Sequence, residues 1–310
     1  MSGPRNRAAR TAPARRPALV VGAGGLIGRA LCERMRAAGT EFVAATRDTP
    51  PLVRPDGTPA AALSAAGVVH YLATSVTPGL AETRPERVAA DHETFVRMLD
   101  ALSTVENPPL VVLTSTGLTV SESGDGLPCT EDAQALPKSA YARAKLALER
   151  ELLSRAPLVP GMVLRMTNVY GPGHALRGGY GVVAHWLAAA AEGRPLELWG
   201  DPDTTRDYLY VDDAAAALAG LGPEAADLPF DVVNIASGEA TTLGRLLGVI
   251  REVTDRELTV RLRPGRGFDQ PANLLDVTRA HRFLGWRART PLALGLERTW
   301  RALTGAGAAR

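Results

Sequence analysis

Short apolar runs alternate with longer amphipathic stretches through the first half of the chain. Residues 18–23 (ALVVGA), 41–46 (EFVAAT), 67–74 (GVVHYLAT) and 109–116 (PLVVLTST) are apolar runs too short for helices, and they predict strands. GMVLRMTNVYG (161–171) predicts a further strand running into a loop. Between these runs, residues 25–39 set Leu26, Ile27, Leu31 and Met35 on one helical face and stop at Gly39. Residues 85–105 and 139–153 also read as helices. Strands separated by helices predict a parallel sheet with right-handed crossovers, the doubly wound α/β class.

After Gly171 the pattern loosens. A glycine-rich loop spans 174–181, and VVAHWLAAAA (182–191) predicts a buried or interface helix. Residues 194–221 hold a short strand, a polar loop, a second strand and an Ala-rich helix, on which Asp212-Asp213 reads as an N-cap pair. A strand at 230–237 and a helix at 241–254, opened by a threonine cap, follow.

Composition narrows the picture. A 45% hydrophobic content suits a chain with a sizeable core. The net charge is +2, but residues 1–17 hold five arginines and no acid, so the remainder stands at −3. That balance argues against a nucleic-acid partner, and the arginine-rich 1–17 segment reads as a disordered tail. No apolar run is long enough to span a membrane. Cys32 and Cys129 make neither a disulfide framework nor a metal spacing, which fits a reducing cytoplasm. The five histidines form no ligand set, so no metal is expected.

Three features carry chemistry. VVGAGGLIG places Gly22, Gly25 and Gly28 between a strand and a helix. This is the setting in which a tight turn and a helix N-terminus, here Leu26 and Ile27, receive a dinucleotide pyrophosphate. Tyr141 and Lys145 stand four residues apart in a predicted helix and share a face. Ser115 and Thr116 close a predicted parallel strand, at the end where such sheets bind ligands. A nearby ammonium favours a phenolate, so Tyr141 beside Lys145 suits proton transfer.

Together these motifs resemble the extended short-chain dehydrogenase/reductase superfamily, over residues 18–303. The Gly22-x-x-Gly25-x-x-Gly28 spacing and the separation of Thr116 from Tyr141 carry the likeness, as do LRMTNVYGPG (164–173) and WGDPDTTRDYLYVDDAA (199–215). The branch it resembles acts on nucleotide sugars through a Rossmann domain and a smaller α/β substrate lobe. The resemblance implies Thr116, Tyr141 and Lys145 as the catalytic set. It places Leu72, Ala73 and Thr74 beside the cofactor, with Lys145 also on its ribose. Substrate contacts would be Ser115, Thr116, Asn168, Arg206 and Arg266, and the assembly a cytoplasmic homodimer seamed by the 85–105 and 139–153 helices. The dinucleotide domain would be 18–170 plus about 207–233, and the substrate lobe 171–206 plus 234–310. NAD-preferring members close the second strand with Asp, where Thr46 and then Arg47 stand here. A guanidinium forks onto a 2′-phosphate, so NADP(H) is favoured over NAD.

The departures also inform. Gly117-Leu118 follow Thr116, so the acid–base pair of sugar dehydratases is missing. Asp91 stands where members usually carry Asn, and Asp56 is the candidate for the adenine contact. Two enzyme readings remain: an NADPH-dependent ketoreductase of a nucleotide-linked 4-keto-6-deoxyhexose, and an NAD-dependent nucleotide-sugar 4-epimerase. A non-catalytic NADP sensor is the third reading, but it has no need of Tyr141.

Overall fold

The computed structural model describes residues 16–119, 128–174, 181–228, 231–265 and 272–305. The first half runs β1 (Ala18–Val21), α1 (Leu26–Ala37), β2 (Phe42–Ala45), α2 (Ala61–Ala65), β3 (Val68–Tyr71), α3 (Pro78–Thr83), α4 (Pro85–Leu102), β4 (Leu110–Thr116), α5 (Ala140–Ser154) and β5 (Gly161–Met166). The second half runs β6 (Asn168–Tyr170), α6 (Val182–Ala191), β7 (Leu196–Trp199), β8 (Thr205–Arg206), β9 (Tyr208–Tyr210), α7 (Val211–Ala219), β10 (Val232–Ile235), β11 (Thr241–Thr242), α8 (Leu243–Thr254), β12 (Val260–Arg263), β13 (Ala272–Asn273), α9 (Thr278–Leu284) and α10 (Leu292–Thr304).

Six strands form one sheet in the order β10-β5-β4-β3-β1-β2, with every neighbouring pair parallel. The predicted doubly wound α/β class is therefore the fold. From β1 the chain steps outward to β2, then returns to the other side of β1 for β3 and the strands beyond. That reversal opens a crevice at the carboxyl ends of β1 and β3, the place where such sheets hold ligands.

Alternation along the strands builds a core on each face of the sheet. Val20, Val112 and Leu164 pack with Leu31 and Met35 of α1 and with Ala214 and Leu218 of α7. Leu19, Val111 and Val163 pack on the other face with Phe95 and Leu99 of α4 and Leu148 and Leu152 of α5. A third cluster joins β7, α6, α8 and α10 through Leu198, Trp186, Leu187, Leu246 and Leu296. The α6 helix is buried as its apolar sequence predicts, and Thr242 caps α8 by accepting from Arg245 N at 3.0 Å.

Four details differ from the sequence expectation. The 161–171 strand breaks at Thr167: β5 stays in the main sheet, and β6 leaves it to pair with β9. The α7 helix starts at Val211 with Tyr210 as its N-cap residue, so Asp212 and Asp213 lie in the first turn and do not cap it. Asp213 turns inward and accepts from Thr290 N at 2.9 Å. Arg16 is not part of a solvated tail, because it donates to the carbonyls of Ser64, Ala65 and Asn107 at 2.8–3.3 Å.

His70 sits in β3 between Val20 and Val112, fully buried, and neither ring nitrogen has a hydrogen-bond partner. Burial lowers its pKa from 6.5 to about 4. The unfolded chain therefore binds more protons between those values, so stability is complete above pH 6.5 and falls as pH drops through the window. Denaturant titrations should show the protein losing about 2 kcal/mol between pH 7.5 and pH 5 on this account. A His70→Leu variant should lose much less over that interval. Equal losses in the two proteins would contradict the assignment.

Candidate active site at the carboxyl edge of the sheet

The turn after β1 is closed by backbone contact. Gly22 has φ +92°, and a Cβ there would stand 2.8 Å from Ala73 N. A Cβ on Gly28 would lie 2.2 Å from the Gly22 carbonyl oxygen. Neither position has room for a side chain, so α1 starts against the end of β1. Gly25 is the N-cap residue of α1, no side chain caps the helix, and its first turn holds no acid. Its leading N–H groups, at Leu26 and Ile27, are open to an anion. This arrangement fits a dinucleotide pyrophosphate.

The neighbouring predicted residues gather around that turn. Leu72 N donates to Val21 O at 2.8 Å, which lays Leu72 and Ala73 against Gly22, with Thr74 next in the chain. Thr46 and Arg47 follow β2; Thr46 N donates to Thr49 Oγ1 at 2.9 Å, and Arg47 is exposed. A Cβ on Gly24 would stand 3.9 Å from Thr46 Cγ2, so the β2 end borders the glycine turn. Asp56 instead accepts from Thr58 N and Thr58 Oγ1 at 2.9 and 2.7 Å, so its carboxylate is engaged in its own turn. Arg29, which the motif reading passed over, donates to Gly24 O at 2.7 Å and Gly173 O at 2.5 Å. It ties the glycine turn to the loop after β6.

The α5 helix brings Tyr141 and Lys145 to β4. Ser139 caps it by accepting from Ala142 N at 3.1 Å, and Glu82 of α3 accepts from Ala140 N at 2.6 Å. Lys145 is 6% exposed; its Nζ donates to Thr114 O at 3.3 Å and lies 5.9 Å from the centroid of the Tyr141 ring. Burial lowers the Lys145 pKa to about 8, against the opposing charges of Asp91 and Glu149. Thr116 ends β4, and its Oγ1 accepts from Leu118 N at 3.3 Å, leaving the hydroxyl proton to donate.

Ser115 points elsewhere, which corrects its assignment as a substrate contact. It is buried, and its Oγ donates to Glu149 Oε1 at 2.5 Å. Strand alternation turns Ser115 away from the face shared by Thr114 and Thr116. Glu149 is itself 1% exposed and pairs with Arg165 of β5 at 2.8 Å. Arg165 also donates to Glu131 O at 3.0 Å. Sequence reasoning missed this pair; its one signal was the helical stripe Tyr141, Lys145, Glu149, which sets a carboxylate one turn from Lys145 on the same face.

Asn168 and Arg206 line one cavity of about 400 Å³, together with Trp186, Trp199, Tyr208 and His185. Thr116, Tyr141 and Lys145 do not line it. The strand register links the two regions, since Thr116 pairs with Met166 and Asn168 follows two residues later. Asn168 Nδ2 donates to Asp207 O at 2.9 Å. The Asp207 carboxylate accepts from Thr167 Oγ1, Ser237 N, Ser237 Oγ and Gly238 N at 2.8–3.1 Å. That knot fixes Asn168 and Arg206 on one wall. Tyr170 is buried, lines the same cavity and donates to Leu292 O at 3.2 Å. Arg266 lies outside the described residues.

Comparisons with known proteins identify the family and the fold. The family model described as the NAD dependent epimerase/dehydratase family matches residues 18–236. A dTDP-4-dehydro-6-deoxyglucose reductase of Escherichia coli is 30% identical, over 61% of this chain and 59% of its own length. The chain thus spans about three fifths of that relative. A dTDP-4-dehydro-6-deoxy-D-allose reductase of Streptomyces bikiniensis is 28% identical over 92% of this chain and 95% of its own. Among solved structures, MoeE5 in complex with UDP-glucose and NAD superposes with a TM-score of 0.81 at 28% identity, over 94% of this chain and 99% of that one.

The Glu149–Arg165 pair generates a stability prediction. Removing one charge strands the other away from water, which costs about 3 kcal/mol. Glu149→Gln should therefore lower unfolding stability by roughly that amount in denaturant titrations. A loss no larger than that of an exposed surface substitution would contradict the role given to the pair.

Proposed function

The chain belongs to the NAD dependent epimerase/dehydratase family, and from that premise we propose that it uses NADPH to reduce the 4-keto group of a nucleotide-linked 6-deoxyhexose. One observation carries this reading: a Tyr141–Lys145 pair, whose ammonium donates to the Thr114 carbonyl two residues before Thr116, accompanies a turn after β2 that opens with Thr46-Arg47 and no carboxylate at either position. The Streptomyces bikiniensis relative, matched over nearly its whole length, bears the name of such a reductase.

The bound dinucleotide supplies hydride to the carbonyl carbon. Tyr141 Oη gives its proton to the C4 oxygen as the carbonyl becomes an alcohol. Thr116 Oγ1 donates to the same oxygen and holds it in place. The Lys145 ammonium stabilises the phenolate left on Tyr141 and binds the nicotinamide ribose. Gly22, Gly25, Leu26, Ile27 and Gly28 receive the pyrophosphate, Arg47 takes the 2′-phosphate, and Thr46 with Leu72, Ala73 and Thr74 lines the cofactor. Asn168 and Arg206 bind the substrate diphosphate, with Arg266 as a further phosphate ligand. On this reading the dinucleotide domain is 18–170 plus about 207–233, and 171–206 with 234–310 form the substrate lobe. The assembly is a cytoplasmic homodimer joined through α4 and α5.

A second reading is a nucleotide-sugar 4-epimerase, supported by the likeness to MoeE5 with its UDP-glucose and NAD. Tyr141 would then take the C4 hydroxyl proton and return it. The test is to offer NADPH or NADH with a nucleotide-linked 4-keto-6-deoxyglucose. Stoichiometric NADPH oxidation is expected, and Tyr141→Phe should lower kcat by about 10²- to 10⁴-fold. Co-purified NAD, no net oxidation and interconversion of UDP-glucose with UDP-galactose would overturn the reductase reading.

A further inference from the structure

Arg29 is the fourth residue of α1 and is exposed. A cation in the first turn of a helix opposes the helix dipole, so the helix itself does not account for its placement. Its side chain leans back toward the helix N-terminus, as side chains on a helix do. There the guanidinium spans two segments that are far apart in the chain. Nη1 donates to Gly24 O at 2.7 Å, inside the glycine turn, and Nη2 donates to Gly173 O at 2.5 Å, in the loop after β6. A planar fork of N–H donors suits such a two-ended contact.

The contact is shaped from both sides. Gly173 has φ +75°, and a Cβ there would stand 2.9 Å from Arg29 Nη2. The loop reaches the guanidinium because residue 173 has no side chain. On the other side, Gly25 N donates to Gly22 O at 3.0 Å and Arg29 N donates to Gly25 O at 3.0 Å, so the turn that holds Gly24 is closed onto the start of α1.

From Gly173 the contacts run on into the cavity that Asn168 and Arg206 line. His174 is next in the chain and lines that cavity too. A Cβ on Gly181 would lie 2.7 Å from His174 Cε1, so this ring packs against the N-cap residue of α6. Gly181 O accepts from His185 N at 3.1 Å, and His185 and Trp186 of α6 line the same cavity. Arg29 makes the crossing from the turn to the loop.

We propose that Arg29 is a positioning residue that couples two ligand sites: a dinucleotide held at the glycine turn fixes Arg29, and Arg29 fixes the Gly173-His174 wall of the cavity for the second ligand. The proposal rests on the reading of that turn as the cofactor site. Coupling between binding sites is reciprocal, so a ligand in the cavity steadies the turn by the same factor. Dinucleotide and nucleotide sugar therefore each favour binding of the other.

Amide hydrogen exchange tests this whichever sugar is bound, because local opening of a loop sets its exchange rate. NADP⁺ and NAD⁺ are each added to the wild-type chain and to Arg29→Met, which keeps a long unbranched side chain and removes both donors. In the wild type a dinucleotide should slow exchange in peptides covering 20–29 and, by about fivefold or more, in peptides covering 168–174. In Arg29→Met the turn should stay protected, and the slowing at 168–174 should fall below about twofold. Equal slowing at 168–174 in the two proteins overturns the proposal and assigns the link to the packing of Leu26, Ile27 and Ala30 against the cluster that holds Tyr170. A protected turn with no slowing at 168–174 in the wild type overturns it as well. No protection of the turn by either dinucleotide overturns the cofactor reading itself, and the coupling with it.

Discussion

The site depends on holding charge out of water along one face of α5. Tyr141, Lys145 and Glu149 lie on successive turns of that face, and Lys145 and Glu149 are both buried. A buried ion pair adds little net stability, because desolvation offsets its attraction. What it contributes here is position. Glu149 is held by Arg165 of β5 and by Ser115 of β4, so α5 is fixed against both strands at one depth. The same cluster reaches the C-terminal segment: Arg165 donates to Glu131 O, and Arg279 of α9 pairs with Asp132 at 2.8 Å. The helix carrying Tyr141 is thereby tied to the later part of the chain.

The winding of the sheet brings the glycine turn and Thr116 to one edge. The reversal at β1 leaves the glycine turn and residues 72–74 side by side, and β4 ends at Thr116 on the same edge. The break at Thr167 then sends β6 out of the sheet toward β9, which carries Asn168 to the cavity wall. Arg29 closes the arrangement from the other side by joining Gly24 to Gly173. The glycine turn, the end of β4 and the cavity wall at Asn168 are therefore neighbours for topological reasons, before any side-chain preference is considered.

Much of this was legible in the sequence because it depends on local pattern. The strands of the main sheet are apolar runs, and the α1 and α5 stripes follow the helical period. Gly22 and Gly28 stand where only glycine fits. What the sequence hid depends on distant partners. Ser115 looked like a ligand contact because it adjoins Thr116; strand alternation and Glu149, thirty-four residues on, turn it inward. Arg16 belonged by composition to a basic tail, yet three backbone carbonyls claim it. The α10 helix docks where Gly295 passes against Tyr170, a contact no period announces. Asp91 was visible only as a departure, and its bonds to Thr74 Oγ1 and Ser75 N depend on how α4 packs against the loop after β3.

On the proposed function, NADPH would supply hydride to the C4 carbon of a sugar at this edge of the sheet while Tyr141 protonates its oxygen. The most direct measurement uses NADPH carrying deuterium at its transferable position with a nucleotide-linked 4-keto-6-deoxyhexose, followed by proton NMR of the product. The account predicts one deuterium at C4 for each NADPH oxidised. A product with no deuterium at C4, or sugar turnover without consumption of the labelled cofactor, would contradict it.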